Sequence, residues 1–146
     1  MSRRTARAVP AAALVLTATL ALTGCGSSSG SAGSAVTAVD GVKHIGVDAF
    51  ASLASTPTVV VLDVRTPAEF ATGHLPNAVN VDFNAGDFAA QVHALDHAKT
   101  YAVYCHSGNR SGQALEVMKA DGFGHVADLE GGITAWTGAG QAVVTS

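Results

Sequence analysis

The sequence predicts an α/β domain with a single five-stranded, mostly parallel sheet and helices on both faces, on three observations. Strand-like and helix-like segments alternate from Val42 to the end of the 146-residue chain. The run Thr58–Val64 is apolar without polar alternation, the pattern of a strand covered on both sides. A further apolar segment, Thr100–Tyr104, runs into Cys105 and then, through a short polar loop, into a helical pattern.

In chain order, Val42–Ile45 reads as a short strand and Val47–Ala54 as a short helix, ahead of the central strand Thr58–Val64. Pro67–Thr72 forms a helical turn, with proline at an early position and Gly73 ending it. Val79–Val81 is a small third strand, and Asn84–Asp96 a helix with Phe88, Val92 and Leu95 on one stripe. Thr100–Tyr104 has a β-branched residue and two aromatics, as strands prefer. Ser111–Asp121 places Ala114, Leu115 and Met118 at helical spacing up to Gly122. Val126–Leu129 is the fifth strand and Gly132–Thr137 the last helix.

The beginning of the chain is of another kind. Arg3, Arg4 and Arg7 precede an apolar run, Val9–Leu22, that is short for a membrane span. Leu22-Thr23-Gly24-Cys25 then resembles a lipobox, the bacterial signal whose cysteine is lipidated and becomes the first residue of the mature chain. The expected organisation is a lipoprotein signal peptide over 1–24, a lipidated Cys25 opening a flexible Gly/Ser/Ala tether over 25–41, and one folded domain over 42–146. The domain would then sit on the extracytoplasmic face of the cell membrane, held by its lipid. An ordinary secretory peptide or a short membrane helix is the alternative.

Removal of residues 1–24 takes away three arginines and leaves 5 basic against 11 acidic residues, a formal charge of −6 instead of −3. An acidic body without a basic stripe excludes nucleic acid as a partner. The chain has two cysteines, so lipidation of Cys25 leaves Cys105 without a partner for a structural disulfide. A lone thiol kept outside the cytoplasm points to chemistry more than to architecture.

Cys105 occupies a strand-to-helix turn, where loop N–H groups and a helix N-terminus converge on an anion and lower a thiol's pKa. The candidate site is Cys105 as nucleophile with the loop His106, Ser107, Gly108, Asn109 and Arg110; Gly108 lets the loop curl and Arg110 adds a permanent charge. A free buried cysteine capping a strand is the plainer reading.

Asp63, Arg65 and Glu69 are charged and clustered, with His74 nearby, and read as rim or structural support. Arg65, just past a buried strand and four residues before Glu69, suits an ion pair or carbonyl contacts that fix the turn, whereas Asp63 faces the same crevice as the cysteine. His93 and His97 have the spacing of two metal ligands on one helix, but with no acidic third ligand they read as a solvated face, and no metal or cofactor is expected. His106 as a general base lacks an orienting partner. Tyr104 and Trp136 read as packing.

Three separated motifs resemble the rhodanese-like single-domain sulfurtransferases. They are Leu62-Asp63-Val64-Arg65 with Glu69-Phe70 and Gly73-His74-Leu75-Pro76-Asn77-Ala78-Val79-Asn80; the Cys105 to Arg110 loop; and Leu129-Glu130-Gly131-Gly132-Ile133-Thr134-Ala135-Trp136. The resemblance implies that Cys105 takes sulfur from a small donor, thiosulfate or a low-molecular-weight persulfide, holds it as a persulfide, and passes it to a thiol or cyanide. It also implies that the six-residue Cys-x4-Arg ring favours sulfur over the phosphate taken by the longer loops of related phosphatases. Thiosulfate-preferring members carry further basic residues near the loop, where this chain has His106 and Asn109. A non-catalytic sulfur carrier and a thiol redox or arsenate-handling protein are the rival readings.

Overall fold

The computed structural model describes residues 39–145. The proposed signal peptide, Cys25 and the tether up to residue 38 lie outside the described residues. Val39 is 3 % exposed and packed in the core, its carbonyl 2.8 Å from His125 Nδ1. The folded unit thus includes residues 39–41, which the sequence reading gave to the tether. Among the described residues no helix is long and apolar enough to cross a membrane.

The elements run β1 (Gly41–Ile45), α1 (Val47–Ala54), β2 (Val59–Asp63), α2 (Pro67–Ala71), β3 (Val79–Asn80), α3 (Phe88–His93), β4 (Thr100–Tyr104), α4 (Asn109–Ala120), β5 (His125–Leu129) and α5 (Gly132–Gly138). The five strands form one sheet in the order β1-β5-β4-β2-β3. Every pair is parallel, so the sheet is parallel throughout and not just mostly so. The chain order reverses between β2 and β4, and the crevice beyond such a reversal is where open parallel sheets bind ligands.

Strand alternation divides the core into two layers. Tyr101, Val103 and Cys105 share one face with Leu62, Val64 and the buried residues of α3 and α4, among them Phe88, Val92, Leu115 and Met118. Ala102 and Tyr104 face Phe50, Leu53, Ile133 and Trp136 of α1 and α5. Each fully buried Leu or Val contributes about 1.5–3 kcal/mol of transfer free energy, which fixes strand register on both sides.

Two helices depart from expectation. α3 has six residues where the stripe predicted thirteen over Asn84–Asp96. Asp82 Oδ1 accepts from Asn84 N–H at 2.9 Å and turns the chain before the helix; Asp96 Oδ1 accepts from Ala98 N–H at 3.0 Å and turns it after. His97 therefore lies in a turn and not on a helix with His93. α4 begins two residues early, at Asn109, placing Asn109 and Arg110 in its first turn. At α2, Thr66 and Glu69 form a reciprocal capping box with Pro67 at the first helical position.

Candidate active site

β4 delivers Cys105 to the carboxyl edge of the sheet, and Gly108 turns the chain into α4 from the left-handed region at φ 92°. A Cβ at Gly108 would stand 3.1 Å from the Gly131 nitrogen, so glycine meets both the turn and the close approach. With no side chain capping α4, its first N–H groups are free to serve the loop.

Gly108 N–H donates to Cys105 Sγ at 3.1 Å, and Ser111 Oγ lies 3.6 Å from the same sulfur. Burial pushes the thiol pKa up, but hydrogen bonds from the Ser111 hydroxyl and from the amides of Ser111, Ser107 and Gly108 outweigh it and hold the pKa below the ordinary value. The thiol is 1 % exposed and forms no disulfide among the described residues.

Ser111 and Asp128 belong to this site beyond the candidates that the sequence offers, which assign Ser111 only to the start of a helix. The Ser111 hydroxyl has one proton and three acceptors within reach: Sγ at 3.6 Å, Asp128 Oδ2 at 3.1 Å and the Gly108 carbonyl at 3.2 Å. Asp128 is 1 % exposed, and its Oδ1 lies 2.5 Å from Nδ1 of the half-exposed His44. Burial raises the Asp128 pKa, opposed by His44 and Ser111. The signal for it was an acid in the interior of a strand whose other residues from Val126 to Leu129 are apolar. A hydrogen bond to a charged acceptor is worth at least about 1.4 kcal/mol. Ser111→Ala is therefore expected to raise the pH midpoint of thiolate formation and to slow alkylation of Cys105 near neutral pH about tenfold. Iodoacetamide rates measured against pH check this; an unchanged profile shows that the Ser111 hydroxyl donates to Asp128 and not to the sulfur.

Arg110 donates to Glu69 through both terminal nitrogens, Nη1 to Oε2 at 2.8 Å and Nη2 to Oε1 at 2.6 Å. Its charge is thus matched by a carboxylate from α2. Glu69 thus pairs with Arg110 and not with Arg65, and the permanent charge that Arg110 brings to the loop is a paired one. Arg65 instead donates to Asp63, with Nη2 2.6 Å from Oδ2, and to the Gly73 carbonyl at 2.7 Å. Asp63 is 0 % exposed and spends its oxygens on the Arg65 side chain and amide, so it is a buried structural carboxylate and does not open into the crevice. Helix α2 brings the two ion pairs side by side, because its capping box orients Glu69 while the chain beyond it, at Gly73, returns to Arg65.

The Arg110 hydrogen bonds hold the Glu69 pKa down at about 2, against burial, with help from Thr66. A folded-state pKa below the ordinary 4.5 means that the pair stabilises the fold above that pH and loses its contribution as pH falls through about 2. The melting temperature of wild type should exceed that of Glu69→Gln by a few degrees near neutrality, an exposed-edge pair being weak. That gap should shrink as pH falls from 4.5 towards 2; a gap independent of pH removes the ion pair as its cause.

The remaining loop side chains point elsewhere. His106 and Ser107 are exposed, and the sulfur's side-chain partner is Ser111 and not the His106 ring. Asn109 Oδ1 accepts from Gln113 at 2.8 Å, along the helix. His74 stacks on Phe70 with ring centroids 3.7 Å apart, and Trp136 donates to the Ala142 carbonyl at 2.8 Å as a core residue. Beside the loop lies a cleft of about 450 Å³ whose lining includes Arg65, Glu69, Gly73, His106 and Thr134. Far from it, Asp121 at the end of α4 meets both His93 and His97, so the solvated face expected there has an acidic third member that sequence spacing did not show.

Residues 46–139 match the family model described as the rhodanese-like domain. A sulfurtransferase of Allochromatium vinosum is 36 % identical over 92 residues, covering 63 % of this chain and 84 % of that protein. The thiosulfate:glutathione sulfurtransferase of Saccharomyces cerevisiae is 30 % identical over 95 residues, covering 58 % and 68 %. The crystal structure of a rhodanese-related protein from Thermoplasma volcanium superposes with a TM-score of 0.64 at 32 % identity, over 71 % of this chain and 99 % of that one. Parallel sheet, cysteine loop at its carboxyl edge and these likenesses together make the chain a single-domain member of the rhodanese-like family.

Proposed function

We propose that the protein is a sulfurtransferase that carries sulfane sulfur as a persulfide on Cys105. The observation that carries this reading is the convergence of the Gly108 amide and the Ser111 hydroxyl on Sγ at the start of α4, with the thiol pKa held down. The thiolate attacks the outer sulfur of the donor; the new S–S bond forms as the donor's own breaks, and the donor leaves as sulfite or a thiolate. An acceptor thiolate or cyanide then attacks that outer sulfur and returns Cys105 as thiolate, with no net oxidation. The same N–H groups stabilise the anion at each stage.

Because Glu69 neutralises Arg110, the loop offers amide dipoles and no uncompensated guanidinium. This favours a low-molecular-weight persulfide over the dianion thiosulfate, the donor in the yeast relative's name. Intact mass after incubation with glutathione persulfide should show one added sulfur, removed by excess thiol. Oxygen or mixed-disulfide adducts in its place would indicate a redox protein. A sulfur carrier without turnover is the second reading, favoured by the 1 % exposure of Cys105; a persulfide that forms but yields no thiocyanate with cyanide decides for it.

Lipidation of Cys25 and a position on the outer face of the cell membrane are part of this proposal, supported by the basic start, the apolar run and Leu22-Thr23-Gly24-Cys25. Cys25→Ala should abolish labelling by radioactive palmitate; label retained in that variant defeats it.

A further inference from the structure

We propose that His93, His97 and Asp121 form a binding site for a borderline divalent cation such as zinc, at the end of the domain opposite Cys105. The three come from different segments: the last residue of α3, the turn leading into β4, and the residue that ends α4. His93 Nδ1 lies 2.9 Å from Asp121 Oδ1 and His97 Nε2 lies 3.4 Å from Oδ2. The donor atoms of all three stand within 4.8 Å of one another. Ligands bound at about 2.0 Å in a tetrahedron stand about 3.3 Å apart, so small side-chain rotations close the set around one ion.

Three further observations point to a cation. Asp121 Oδ2 is buried and has no hydrogen-bond partner among the described residues, with His97 Nε2 3.4 Å away. A buried carboxylate oxygen left so is costly, and a metal bond satisfies it. The His97 ring is held by stacking on Phe123, with centroids 4.1 Å apart and planes 28° apart, and Phe123 is itself 3 % exposed. One ligand is thus oriented in advance, while His93, 76 % exposed, is free to swing onto the ion. α3 and α4 also both end here, turning the negative ends of their dipoles towards the site.

Two imidazoles and one carboxylate match zinc, copper or nickel, whereas magnesium and calcium take oxygen donors. Three protein ligands leave the fourth tetrahedral position for water. The five residues of β4 separate the site from Cys105 by about 16 Å, so a bound ion does not reach the sulfur and serves to tie α3, β4 and α4 together. The site is independent of the sulfur chemistry.

The test is calorimetric titration of Zn²⁺ into the full chain carrying Cys25→Ser and Cys105→Ser, which removes the competing thiols. Expected are one Zn²⁺ per chain and a melting temperature raised by the metal. Asp121→Asn, His97→Ala or His93→Ala should each weaken binding by at least about tenfold, and His106→Ala should not. Absence of stoichiometric binding overturns the proposal, as does binding that survives Asp121→Asn and His97→Ala undiminished in variants whose circular dichroism matches the parent. Circular dichroism of each variant without metal separates loss of a ligand from loss of the fold.

Discussion

Cys105→Ser is expected to abolish thiocyanate formation from a sulfur donor and cyanide, a loss of about ten-thousandfold or more, down to the rate of the uncatalysed reaction. The serine hydroxyl has the right size for the loop but is not ionised near neutral pH, and the amides that hold the thiolate have no anion left to stabilise. The fold should change little, because the sulfur's packing role is shared with Leu62, Val64, Val103 and Leu115 in the same layer. A melting temperature within a few degrees of wild type, measured on the same preparation, makes the activity loss chemical. Turnover that persists above background in the variant would assign the transfer to another group.

Gly132→Ala should cost about 3 kcal/mol or more and lower the melting temperature by at least about 12 °C. Gly132 stands at φ 58°, and a Cβ there would lie 2.5 Å from the Cys105 carbonyl oxygen and 2.6 Å from the His106 carbonyl carbon. Those are backbone atoms without freedom to yield. The next two residues hold the same strands of the loop, Ile133 N–H donating to Cys105 O at 2.8 Å and Thr134 N–H to His106 O at 3.2 Å. The substitution therefore pushes on the segment that aims the amides at Sγ, and transfer should fall with stability. Gly140→Ala is the comparison: its φ is 75° with nothing within 4 Å of the added carbon, so it has left-handed strain alone, about 1 kcal/mol. Equal melting temperatures for the two variants would show that the Gly132 contact relaxes freely.

The fold was largely legible because its signals are local. Val59-Val60-Val61-Leu62 announces a strand buried on both faces, and Ala114, Leu115 and Met118 announce one face of a helix, whatever the rest of the chain does. Where the reading failed, a side chain close in sequence had captured the backbone: Asp82 and Asp96 cut α3 to six residues although Phe88, Val92 and Leu95 keep the helical stripe. Val39 reads as tether because its neighbours are small and polar, whereas in the fold its side chain packs in the layer of Phe50 and Trp136 and its carbonyl meets His125, 86 residues away.

Adjacent residues specify the order of strands and helices and the cysteine loop between β4 and α4, since a strand, a tight turn and a helix N-terminus are local features. Tertiary structure alone decided which charges meet. Arg110 finds Glu69 across 41 residues, Ser111 finds Asp128 across 17, and Asp121 joins two histidines from beyond α4. A carboxylate is compatible with any cation or hydroxyl along the chain; its partner is fixed by which strand and helix ends the crossovers of the parallel sheet bring into contact, and that selection is made by the packing of the whole domain.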